Sequence, residues 1–176
     1  MQQTTRGPPL PADDSFILPQ MLRRMLVLGG AAFALALSAA TATATTTRNE
    51  NASLLRAINA ARAAHGLAPV RVGTRLQLAA RFHTEAMLAS QTFTHGPFAE
   101  RLRAFHVTAP TIAENLALAT GSDASARAFV EAWLASPPHR RNLLSPSFTL
   151  VGIGELAGAF QGLTDVHLVT VDFAGS

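Results

Sequence analysis

The sequence predicts an α+β domain in which helices pack on a small antiparallel sheet. Apolar residues recur at helical spacing from Asn51 to Trp133, and after Pro146 the pattern changes to two β-type runs. The 176 residues are 48% hydrophobic and only 14% charged, which suits a folded core rather than disorder. That length allows one domain with an appendage.

Taken in order, Leu54, Leu55, Ile58 and Ala61 share one face of a first helix, which Gly66 can cap. Pro69-Val70-Arg71-Val72 is a short extended connection. Thr74-Arg75-Leu76-Gln77 has the form of a capping box, with Thr74 as N-cap. The helix it opens is expected to turn Leu78, Ala79, Phe82 and Ala86 inward and to end near Ser90. Pro97 suits the first position of another helix, followed by Phe98, Leu102 and Phe105. Ser122 or Asp123 is expected to start a further helix with Ala126, Phe129, Val130 and Trp133 inward. Ser136-Pro137-Pro138 ends it and permits a new turn at about His139. Phe148 to Leu156 and Val166 to Phe173 are the β-type runs, joined by a glycine-bearing segment over 157–162.

Ahead of this domain, Met21-Leu22-Arg23-Arg24, an apolar stretch from Met25 to Leu37 and the small residues Ser38 to Ala44 follow the pattern of a secretory signal peptide. Cleavage is expected after Ala40, Ala42 or Ala44, and Met21 makes a more natural start than Met1. The organisation expected is a leader over 1–44, a linker over 45–50 and a domain over 51–176. The apolar run is shorter than the roughly 20 residues that a spanning helix needs. Secretion, to the exterior or the periplasm, is the expected destination.

Composition excludes several chemistries. No cysteine is present, so disulfides, thiolate catalysis and thiolate metal sites are ruled out. The pI of about 11.2 accompanies a net charge of only +3. Its arginines are scattered rather than clustered, which argues against a nucleic-acid partner. Gly-x-Ser-x-Gly and His-Glu-x-x-His are both missing.

What remains is a set of histidines and one acid in distinctive contexts: His95 in Phe93-Thr94-His95-Gly96-Pro97, Glu114 in Ile112-Ala113-Glu114-Asn115-Leu116, and His139 heading His139-Arg140-Arg141-Asn142. Brought together, they could hold a divalent metal, form an acid-base pair oriented by a carboxylate, or simply be a hydrogen-bonded cluster that fixes the walls of a cleft. Of the other histidines, His83 shares a helix face with Ala79 and Ala86, His65 sits at a helix end, His106 in a loop and His167 in a strand. Trp133 and Phe129 are core residues by spacing.

These segments resemble the CAP superfamily of cysteine-rich secretory, antigen 5 and pathogenesis-related proteins, in its bacterial SCP-like branch. Ala113-Glu114-Asn115-Leu116 is similar to that family's Gly-Glu-Asn-Ile. The stretch from Trp133 through Ser136 and His139-Arg140-Arg141-Asn142-Leu143-Leu144 to Val151-Gly152-Ile153-Gly154 is close to the bacterial form Trp-x-x-Ser-x-x-His-Arg-x-Asn-Ile-Leu-x-Pro-x-Phe-x-x-Val-Gly-Val-Gly. Phe93-Thr94-His95 matches Phe-Ser-His, and the segment from Phe82 to Met87 resembles His-Ser-x-Asp-Met. The resemblance covers roughly residues 51–174.

It implies an α-β-α sandwich with a cleft lined by two histidines and two acids. His95, Glu114 and His139 take three of those places, and Ser136 stands at the fourth, leaving the cluster one carboxylate short. His83 and Asn115 are expected beside the cleft. His95, His139 and Glu114 are the candidate metal ligands, for zinc or another divalent ion, although no cofactor is required. Two functions compete. One is a monomeric extracellular binding module for a lipid, peptide or cell-surface ligand; the other is a metal-dependent hydrolase acting through His95, Glu114 and His139. A structural envelope role is a third. Loss of the fourth acid and the lack of an evident nucleophile favour binding.

Overall fold

The computed structural model describes residues 48–175. The leader, its signal-peptide pattern and the alternative start at Met21 lie outside the described residues. Helix α1 covers 48–64, so residues 48–50, expected in a linker, are already helical. There follow β1 (Arg71–Val72), α2 (Thr74–Ser90), α3 (Phe98–Ala104), β2 (Thr111–Thr120), a 3-10 turn (Gly121–Asp123), α4 (Ala126–Ala135), α5 (Pro137–Leu143), β3 (Phe148–Phe160) and β4 (Leu163–Gly175).

The four strands form one sheet in the order β1-β3-β4-β2. β4 pairs antiparallel with both β2 and β3, whereas β1 runs parallel to β3. The sheet is therefore mixed rather than purely antiparallel. Between β1 and β3 the chain passes through α2, α3, β2, α4 and α5, a long crossover of the kind that a parallel pair requires. β3 and β4 meet at Gln161-Gly162, both with positive φ (49° and 84°), the backbone that a two-residue hairpin turn requires.

Strand alternation divides the side chains between two helical layers. Val151 and Ile153 of β3 and Val169, Val171 and Phe173 of β4 face α1, α4 and α5, burying Leu54, Ile58, Phe129, Val130, Trp133 and Leu143. On the opposite face Ala174 packs against Leu76 and Ala79 of α2 and Leu102 of α3, and Leu168 packs against Met87. This is the expected α-β-α sandwich.

α2 lies on the glycines of β3. A Cβ at Gly152 would come within 2.2 Å of the Leu76 carbonyl oxygen, and one at Gly154 within 2.6 Å of that of Ala80. The close approach rotates α2 from the orientation expected of it. Leu76, Ala79, Ala80, His83, Thr84 and Met87 are buried, while Leu78 and Phe82 are 53% and 54% exposed. Phe82 leans instead on Phe105, with ring centroids 5.5 Å apart. The expected capping box does not form either. Gly73 is the N-cap, without a side-chain bond, because Gln77 reaches across to the backbone of Ile153, accepting from its N–H at 3.1 Å and donating to its carbonyl. Likewise α4 begins later than expected: Ser125 is its N-cap and accepts from Ala128 N–H at 3.2 Å.

A buried cation ties the layers on the α1 side. Arg62, 1% exposed, donates to the carbonyls of Ala68, Leu143, Ser145 and Phe148 at 2.9–3.1 Å. It thereby satisfies the end of α5 and the turn into β3, where helical carbonyls otherwise lack partners.

Candidate functional site

β2 forms one edge of the sheet, and its alternation places consecutive residues of the Glu114-Asn115 pair in different layers. Glu114 faces α2 and α3. Its Oε1 accepts from Nδ1 of His95 at 2.6 Å, and its Oε2 accepts from Nη2 of Arg101. The same Nη2 donates to Oδ1 of Asp172 at 2.9 Å, the residue opposite Glu114 in the β2–β4 register. One guanidinium thus serves two buried carboxylates, of which Glu114 is 6% and Asp172 0% exposed. No hydrogen bond of good geometry reaches Asp172 Oδ2 or Arg101 Nε among the described residues. Burial above all, and then the Glu114 charge, outweigh the Arg101 cation and push the Asp172 carboxyl up to about 8. At neutral pH the acid pair accordingly retains a proton, which gives Asp172 a donor to turn toward Glu114.

His83 holds the loop that carries His95. Its Nε2 bonds the Thr94 carbonyl at 2.8 Å and lies 4.0 Å from Glu114 Oε2. Burial, and next the Arg101 charge, lower its pKa, so the neutral ring serves as a fixed donor. With Nδ1 of His95 committed to Glu114, its Nε2 is left for the solvent side, where the side chain is 57% exposed.

Asn115 faces the other helical layer. Its Nδ2 donates to the His139 carbonyl at 3.1 Å, and its Oδ1 accepts from Asn142 Nδ2 at 2.9 Å. Asn142 also reaches the Glu114 carbonyl at 3.2 Å. These bonds pin α5 to β2 and present His139 at the sheet edge, its Nδ1 bonded to Ser136 Oγ at 2.9 Å. The His139 pKa is lowered, first by burial and then by the His95 charge. Trp133 Nε1 donates to the Leu116 carbonyl at 2.9 Å. The outer carbonyls of Glu114 and Leu116 are thus occupied, which protects this edge from pairing with another chain.

The sequence-predicted residues fall into two connected groups on either side of β2. His83, His95 and Glu114 form one, and Asn115, Ser136 and His139 the other. Both oxygens of Glu114 are engaged, so it orients His95 rather than offering a free ligand atom, and the His95/Glu114/His139 trio is not among the sets of three donor atoms lying within 4.8 Å of one another. Arg101 and Asp172 were missed. Asp172 had a signal, being the one acid inside the apolar run from Val166 to Phe173.

From His139 and Ser136 an open groove of about 770 Å³ runs along the β2 edge, floored by Leu116, Leu118 and Ala119 and walled by Ala128, Phe129 and Ala132 of α4. Its lining is mostly apolar, with Ser136 and His139 as one polar pair and Thr120 and Asp123 as another.

A sandwich of this topology, with histidine and glutamate at the β2 edge, is a recognised class of domain. The chain belongs to the CAP, or cysteine-rich secretory protein, family, whose model matches residues 55–160. It is 31% identical over 102 residues to the uncharacterized protein YkwD of Bacillus subtilis (strain 168), covering 54% of this chain and 38% of that protein. The chain therefore spans well under half the length of that relative. Among solved structures it is similar to an extracellular SCP-domain protein of Bacillus anthracis, with a TM-score of 0.64 and 22% identity over 76% of this chain and 43% of the other. An outer surface protein of Borrelia burgdorferi gives a TM-score of 0.63 at 20% identity, covering 73% and 94%. At these identities the similarity speaks for the fold. No helix of the described residues is long and apolar enough to cross a membrane.

Proposed function

We propose that this CAP domain is an exported binding module that takes an amphipathic ligand, a lipid or an apolar peptide segment, along the β2 edge. The groove carries this reading: its mostly apolar lining, which includes Leu118, Phe129 and Ala132, also holds the His139–Ser136 pair, and the His95 charge is felt at His139. An apolar body would lie against α4, and a polar or anionic head would meet the imidazoles. Glu114 fixes the ring orientation of His95, and Asn115 fixes the backbone of His139. If the cleft takes a divalent metal, the Nε2 atoms of His95 and His139 are its donors, and Glu114 supports His95 from behind. Such an ion would offer an electrophilic anchor for the ligand head. The leader pattern supports export, as does the similarity to proteins described as extracellular or outer-surface.

Titration with a fluorescent fatty acid tests the reading. Saturable uptake is expected in the wild type, with at least a tenfold loss in Ala132→Trp, which fills the groove from an exposed position and leaves the core intact. No uptake by the wild type, or uptake that Ala132→Trp leaves unchanged, would refute it.

A further inference from the structure

We propose that this chain carries a second metal site, separate from the cleft, in which Glu50, Glu155 and His167 bind a divalent transition metal of the zinc type. Their donor atoms lie within 4.8 Å of one another, and among the described residues they are the set of three such side chains to do so. The placement follows from the sheet. On β3 the column facing α1 runs Val151, Ile153, Glu155; on β4 the matching column runs Phe173, Val171, Val169, His167. Every other member is buried and apolar. Two apolar columns therefore end side by side in an acid and an imidazole. Glu50, Leu54 and Ile58 share one face of α1 at four-residue spacing, so the face that buries Leu54 and Ile58 also brings Glu50 over that pair.

The local geometry has room for a shared ion. Glu155 is 4% exposed, and among the described residues its carboxylate has one hydrogen-bond partner, Nδ1 of His167, at 3.2 Å. That distance suits an N–H···O bond, and it also suits two donors each about 2.1 Å from a shared zinc ion, which would stand about 3.0–3.4 Å apart. His167 also has a carboxylate behind it. Its Nε2 lies 4.0 Å from Oδ1 of the exposed Asp165, beyond hydrogen-bond reach. Asp165 holds a positive φ of 55° within β4, opposite the register shift between Gly158 and Phe160. Two carboxylates converge here on one imidazole, and burial together with the nearby Glu50 charge disfavours a bare Glu155 carboxylate, a cost that a bound cation would relieve. Oxygen, oxygen and nitrogen donors suit zinc, manganese or iron(II).

The full chain, freed of metal by chelation and titrated calorimetrically with Zn2+ and separately with Mn2+, tests this. His139→Ala is included as a background that removes binding at the cleft. The expected result is one equivalent of metal retained in His139→Ala, with affinity at least tenfold weaker on adding Glu50→Gln or His167→Ala. Glu50 is half-buried and outside the apolar core, so Glu50→Gln gives a folded variant even if Glu155→Gln does not fold. Co2+ absorption in the His139→Ala background gives a second readout: its ligand-field bands should shift when His167 is replaced and not when His95 is. Metal binding lost entirely with His139, or unaffected by Glu50→Gln and His167→Ala together, would overturn the proposal while leaving the cleft reading standing.

Discussion

Asp172→Asn should leave the protein about as stable as the wild type at pH 5 and make it more stable at pH 9. The variant keeps the shape of the carboxyl group. Its Oδ1 can still accept from Arg101, and its amide can donate toward Glu114 as a protonated Asp172 would. The difference lies in titration. In the unfolded chain this carboxyl ionises near 3.8, and in the folded protein it is pushed up to about 8. Between those values the folded state holds a proton that the unfolded state releases, so wild-type stability falls as pH rises through this window and levels off above about 8. Four units at about 1.4 kcal/mol each put the ceiling at about 6 kcal/mol. Glu114 and Arg101 share the proton and the charge, and a loss of about 2–4 kcal/mol between pH 5 and 9 is therefore the expectation. His83 and His139, whose pKa values are lowered, pull the other way between their folded values and about 6.5, and they do so equally in both proteins. Urea unfolding followed by the fluorescence of Trp133, the single tryptophan and 2% exposed, measures the difference directly. Parallel stability-against-pH curves for wild type and Asp172→Asn would refute the account of a shared, buried proton.

Arg101→Met should cost about 3–5 kcal/mol, most at alkaline pH, because Glu114 and Asp172 lose their common cation; urea midpoints at pH 6 and 9 check it. Arg62→Met should cost a similar amount with little dependence on pH, since it orphans the carbonyls of Ala68, Leu143, Ser145 and Phe148. Gly154→Ala should lower stability by about 1–3 kcal/mol or more, its Cβ meeting the Ala80 carbonyl at 2.6 Å and Thr84 Oγ1 at 2.7 Å; a thermal melt as cooperative and as high as that of the wild type would contradict the packing described.

Local chemistry made much of the fold legible. The spacing of Phe129, Val130 and Trp133 identifies the buried face of α4, and Pro137 marks the break before α5. The glycine-bearing segment between two β-type runs identifies the hairpin, although both strands extend beyond those runs. β2 was not legible as a strand. Ile112 to Leu118 alternates between layers that are both covered, so neither face of the segment reads as polar. The facing of α2 was hidden for a similar reason: its apolar residues are spread around the helix, and the glycines of β3 choose which side sits closest.

The histidine–glutamate cleft was readable as a set of residues, but its wiring was not. Nothing near Arg101 in the chain indicates that its guanidinium will meet two acids 13 and 71 positions away. His167 likewise looked like an ordinary strand residue until β3 and α1 brought Glu155 and Glu50 to it. Periodicity, capping and turn preference act between near neighbours and leave their mark in the order of residues. Which charges share a proton or a metal depends on strand order and register, which are settled only when the layers pack.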